Sequence, residues 1–152
     1  MPYEDSKVPT EKSQRDIKSL LARFDVQATR FTSFPAYTML EFVRGVETGS
    51  RVTYRITIQP KLDKVGASVT MWDRAERQVW RVVYWWLKAK IEAIEFGLVE
   101  FEQDFLPYML LADSDGQSRP VAEILFERLA GRLALPGDPF GGLQLALPSG
   151  RP

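Results

Sequence analysis

Laid out at about 100° per residue, the stretch 73–97, DRAERQVWRVVYWWLKAKIEAIEFG, separates into three faces. Trp80, Val83, Tyr84, Leu87, Ile91, Ile94 and Leu98 fall on one stripe, which predicts a core face. A second stripe beside it carries Ala75, Val79, Val82, Trp86, Ala89, Ala93 and Gly97. Arg74, Arg77, Arg81, Trp85, Lys88, Glu92 and Glu95 make up the third, which predicts a solvent face with one tryptophan among cations. The two apolar stripes together span about half the circumference, broader than the stripe of an ordinary surface helix. Such a helix is buried on two sides, or buried on one and docked to another chain on the other. Asp73 and Glu76 have capping-box spacing at its start, and Gly97 is a C-terminal stop. Phe101 and Phe105 continue the helical spacing, so an end at Gly97 and a continuation to Phe105 both stay open.

The remaining pattern predicts elements on either side. Residues 1–12 are polar, and Ser13 with Asp16 opens a helix whose Ile17, Leu20, Leu21 and Phe24 recur at helical spacing. Period-two alternation then takes over. Residues 27–33 form a short or edge strand ahead of Pro35, and YTMLEFVR (37–44) a second, with Thr38, Leu40 and Phe42 on one face. GVETGS (45–50) is a turn. In RVTYRITIQ (51–59), Val52, Tyr54, Ile56 and Ile58 point one way and Arg51, Thr53, Arg55, Thr57 and Gln59 the other. Residues 60–72 read as a loop with a short strand at Ala67–Met71.

Beyond the long helix, Pro107 stops helical continuation, Tyr108–Ala112 is a short apolar run and DSDGQS a turn. Ser118 reads as the N-cap of a helix over 120–134, with Val121, Ile124, Leu125, Leu129 and Leu133 on one face. The Pro/Gly-rich stretch 135–152 reads as a disordered or loosely docked tail. The predicted architecture is α+β in a single domain, 1–134. It has an N-terminal helix, a three-stranded antiparallel sheet, a long central helix packed on the sheet and a short C-terminal helix.

VPTEKSQRDIKSLLARF (8–24) and WRVVYWWLKAKIEAIEFGLVEFEQDFLPYMLLADSDGQS (80–118) resemble small proteins of unassigned function encoded in bacteriophage and prophage genomes. The shared features are the VP-x-E/D-x-S opening, the K-A-K-I/L-E-A-x-E segment and the D-G-Q turn. The resemblance implies a phage-related setting and brings no activity or catalytic residues with it.

Composition narrows the chemistry. The chain of 152 residues has no cysteine and no histidine, which excludes disulfides, thiol nucleophiles, Cys/His zinc sites and Ser-His-Asp triads. No Gly-rich phosphate loop is present: GASVT and GGLQL lack the lysine and the context. Carboxylates alone remain for catalysis, and Glu92, Glu95, Glu100, Glu102 and Asp104 could hold Mg²⁺ for a nuclease. Lys88 and Lys90 stand among them, and such glutamates usually solvate a helix face. The expectation is no metal and no cofactor. The start is polar without an apolar h-region, and no apolar run reaches a membrane span, which predicts a cytoplasmic chain with no membrane contact. Net charge is zero, but residues 1–90 hold 16 Lys/Arg against 10 Asp/Glu and residues 91–152 hold 4 against 10. That asymmetry suits head-to-tail association or a local anionic ligand, or it merely marks two differently solvated surfaces.

Two surfaces carry the functional expectations. Arg77, Arg81, Trp85 and Lys88 on the helix, with Arg51 and Arg55 on the strand, make a candidate nucleic-acid surface of cations and a stacking aromatic. Arg77, Arg81 and Trp85 are then exposed, and their removal leaves the fold intact. The order helix, three strands, helix is similar to that of double-stranded-RNA-binding domains and of the core of phage single-strand annealing proteins, without a motif of either. Val82, Trp86, Ala89 and Ala93 make a candidate interface where another helix approaches closely, either a second copy or the helix 120–134 of the same chain. The reading is a non-catalytic, self-associating binding or assembly module, a homo-oligomer. A nucleic-acid-binding protein of phage DNA metabolism, acting in single-strand binding or annealing, is the alternative.

Overall fold

The computed structural model describes residues 3–34, 37–59, 68–112 and 115–133, with 131–133 as backbone only. The expected tail at 135–152 and the loop at 60–67 lie outside them. The architecture is α+β: an N-terminal helix, a three-stranded antiparallel sheet, a long central helix and a short C-terminal helix.

Helix α1 runs Thr10–Ala22, three residues ahead of the predicted Ser13 start. Its first amides turn back to the Pro9 carbonyl, which accepts from Lys12 and Ser13, and no side chain caps it. Ser13 is therefore not the cap. It lies a turn inside the helix, fully buried, and Asp16 pairs with Lys12 instead of closing a capping box. Ile17, Leu20 and Leu21 are buried as their spacing predicts, and Phe24 packs against them.

Strands β1 (Val26–Ser33), β2 (Thr38–Gly45) and β3 (Arg51–Ile58) pair antiparallel in that order. The register aligns Phe31, Leu40 and Ile56 in one row and Thr29, Phe42 and Tyr54 in the next. Because side chains alternate, these rows share the inner face, and Leu40, Phe42, Tyr54 and Ile56 are buried there.

Helix α2, Val69–Phe96, lies on that face, and its Trp80 meets Phe31 edge-on at 5.2 Å. Trp80, Val83, Leu87 and Ile91 are buried, the centre of the predicted core stripe. The helix begins four residues before Asp73. Ser68 is the N-cap, its hydroxyl accepting from the Met71 amide at 3.3 Å. The capping box expected of Asp73 and Glu76 does not form, and residues 69–71 are the first turn of α2, not a strand. An oxygen at Ser68 that satisfies a free helical N–H outweighs the β preference of Val69 and Thr70.

Gly97 ends α2 with φ 87°, a conformation only glycine adopts without strain. The Leu98 amide donates to Ala93 and the Gly97 amide to Ile94, the paired bonds of a Schellman motif. Leu98, predicted as core, is exposed because the helix has already ended. Phe101 and Phe105 bracket a separate short helix, α3 (Phe101–Phe105), and stack at 4.5 Å beneath Phe42 and Tyr54. A 3₁₀ turn, Leu106–Tyr108, accommodates Pro107.

Strand β4 (Leu110–Ala112) pairs with β5 (Ser118–Pro120), and helix α4 (Val121–Leu133) follows. Ser118 is thus a ladder partner of Ala112 and not an N-cap. Val121 and Ile124 are buried, but Leu125 and Leu129, predicted on the same face, are exposed along with Phe126. Only the first turn of α4 is covered; every described side chain from Leu125 to Gly131's predecessor Ala130 is exposed. No helix among the described residues is long and apolar enough to cross a membrane.

Candidate functional site

The cation row of α2 is occupied by the chain's own N-terminal segment. Residues 3–6 form a turn closed by the Ser6 amide on the Tyr3 carbonyl at 3.0 Å. Arg74 donates from Nε to the Glu4 carbonyl at 3.0 Å and pairs with the Asp5 carboxylate. Arg77 donates to the Ser6 carbonyl at 3.3 Å. The Tyr3 ring lies parallel to Trp85, 9° between planes and 6.4 Å between centroids. The Lys88 ammonium sits 5.0 Å from the Trp85 ring centre and 3.9 Å from Glu92. Trp85 is 41% exposed, as the helical phase predicts.

Arg81 departs from that expectation. It is 9% exposed, because α1 packs along this flank of α2. Its guanidinium reaches Asp16 and the buried Ser13 hydroxyl, each at 3.4 Å, and lies 4.1 Å over the Tyr84 ring. The long arginine stem is apolar and can be buried where its head finds a carboxylate. Arg81 is therefore a strut between two helices. Hydrogen bonding from Lys12, with the charges of Lys12 and Arg81, outweighs burial and lowers the Asp16 pKa.

Arg51 and Arg55 are on another surface altogether. The polar face of β3 points away from the α2 layer, so the strand cations do not join the helix row. Arg55 and Arg30 flank Glu41 on this outer sheet face, at 3.1 and 2.6 Å. Glu41 is only 6% exposed. Burial pushes its carboxyl up, and the hydrogen bonds and charges of Arg30 and Arg55 outweigh burial to hold it below the ordinary value. Arg51 stays exposed opposite Gly45.

The carboxylates considered for a metal are dispersed. Glu92 faces Lys88, Glu95 pairs with Arg23, Glu102 with Arg44 and Asp104 with Lys90, while Glu100 is the N-terminal boundary residue of α3. Four of the five have a cationic neighbour, and among the described residues no group of three or more such ligands converges.

The candidate interface divides. Trp86 is half-buried with its ring against Tyr108 at 5.5 Å and Phe105 at 6.5 Å, and Ala93 is half-buried. The intrachain cover of this stripe is the α3 region and the 3₁₀ turn, not α4. Val82 and Ala89 remain exposed, and Phe96, 81% exposed, extends them. Val82, Ala89 and Phe96 recur every seven residues, two turns apart, and so run nearly parallel to the helix axis. Sequence reasoning passed over Phe96, although the seven-residue spacing was legible. It also passed over Tyr3, Asp5 and Glu41, whose roles follow from distant segments and carry no local signal.

No protein-family model, curated protein or solved structure matches the chain.

Proposed function

We propose that this chain is a non-catalytic assembly module that pairs with a second copy of itself through the outer face of α2, in the phage-related setting that its sequence resemblance implies. The observation that supports this is the exposed row Val82, Ala89 and Phe96 along the longest helix of the fold. A large aromatic and a β-branched residue left in water on one line are a surface feature that association would bury. Ala89 at the centre leaves room for a second helix to come close. In an antiparallel pair about Ala89, Val82 of each copy faces Phe96 of the other, a small side chain against a large one. The two helix dipoles then oppose each other favourably.

Light scattering coupled to size exclusion tests the reading. The protein at about 100 μM should run as a dimer, and Ala89→Glu and Phe96→Glu should each give a monomer with unchanged helix content. A monomeric wild-type protein at that concentration, or a dimer untouched by both substitutions, rejects it.

A further inference from the structure

We propose that residues 3–6 are a built-in cover over a binding site for single-stranded nucleic acid, the site being the row Arg74, Arg77, Trp85 and Lys88 on α2. The cover reproduces the chemistry of such a strand. A planar ring, Tyr3, lies parallel to the one exposed indole of the row. Two positions along, the Asp5 carboxylate meets Arg74, as a phosphate would. The carbonyls of Glu4 and Ser6 accept from the Nε of Arg74 and Arg77. A base stacked on Trp85 with its neighbouring phosphates on Arg74 and Arg77 would satisfy the same groups, and Lys88 at 5.0 Å from the indole would add charge beneath the base.

The cover is also built to leave. Tyr3 holds φ at 59°, the left-handed region that a bulky side chain rarely adopts, so its stacked position is strained. The Arg74–Asp5 pair is exposed on both sides, with side-chain exposures of 50% and 89%, and a pair of that kind contributes little. Tyr3 itself is 43% exposed. Arg81 lies 5.6 Å from the Trp85 ring centre, but α1 holds its donors on Asp16 and Ser13, so it is not counted among the strand's phosphate contacts. This proposal does not depend on self-association, which uses the adjacent row through Val82, Ala89 and Phe96.

Fluorescence anisotropy with a labelled oligothymidylate of about 15 nucleotides tests it on the full chain at low salt. The doubly substituted Tyr3→Ala/Asp5→Asn protein should bind about tenfold more tightly than wild type, the contribution expected of one freed stacking platform. The gain should weaken as salt rises. Glu47→Gln, an equal charge change in the distant β2–β3 turn, should leave binding as in wild type. Adding Trp85→Ala should remove the gain, and Trp85→Phe should keep part of it; circular dichroism confirms that each variant is folded. Wild-type binding as tight as that of the doubly substituted protein would overturn the proposal. So would a gain that survives Trp85→Ala, or an oligoglutamate of matched charge that competes as well as the oligothymidylate, which would assign the row to acidic peptides.

Discussion

The Arg81 guanidinium lies 3.4 Å from the Asp16 carboxylate across the seam between α1 and α2, and its side chain is 10% exposed. A cation in that position serves the fold, since removing it leaves Asp16 with Lys12 alone and opens the seam. Arg81→Ala should cost about 1–3 kcal/mol in urea denaturation, the range for losing a charged hydrogen-bonding partner. Arg77, expected to be exposed, is half-buried and bonds the Ser6 carbonyl of a surface segment, so Arg77→Ala should cost less, about 0.5 kcal/mol. Equal small losses for the two would show that α1 does not rely on the pair.

Glu41 makes a prediction about acid. Its folded pKa lies below the ordinary 4.5, so the stability it contributes is fully present above that value. The contribution is lost as the pH falls through the lower folded pKa. Glu41→Gln should therefore lower stability at neutral pH and flatten the stability profile below pH 4.5. Denaturant melts between neutral and acid pH check this; parallel profiles for the two proteins contradict it.

The start of α2 separates two serviceable caps. Ser68→Ala should destabilise by about 1 kcal/mol, the loss of one N-cap acceptor. Asp73→Ala, a turn inside the helix, should change stability by less than about 0.5 kcal/mol. Thermal melts of the two variants decide the matter, and the reverse ranking would return the helix start to Asp73.

The Tyr54 hydroxyl is buried, with the Arg44 guanidinium nearby but no partner in hydrogen-bond geometry among the described residues. Burial pushes its pKa above the ordinary 10.0. Its neutral form is thus favoured by folding, and the corresponding stability is present below pH 10 and lost as the pH rises through the folded value. Tyr54→Phe removes a desolvated hydroxyl while keeping the stack on Phe42 at 5.0 Å. It should be neutral or stabilising by about 1 kcal/mol and should reduce the alkaline loss. A loss of more than about 1 kcal/mol would mean that the hydroxyl does have a partner.

Local pattern carried the architecture. The alternation of Val52, Tyr54, Ile56 and Ile58 names the buried face of β3, and the spacing of Trp80, Leu87 and Ile91 names the face of α2 that meets it. Both periods are properties of the backbone itself and need no knowledge of neighbours. The tertiary structure alone decided what each cation meets. Arg81 and Arg77 look alike on a helical wheel, yet one is locked to α1 and the other turned toward residues 3–6. Glu41 alternates like any outward strand residue, and only the register that sets Arg30 and Arg55 on either side of it makes it a buried carboxylate. A wheel or an alternation reports direction from one backbone. Burial and charge pairing depend on what a distant segment brings to the same place, and that is written nowhere near the residue it affects.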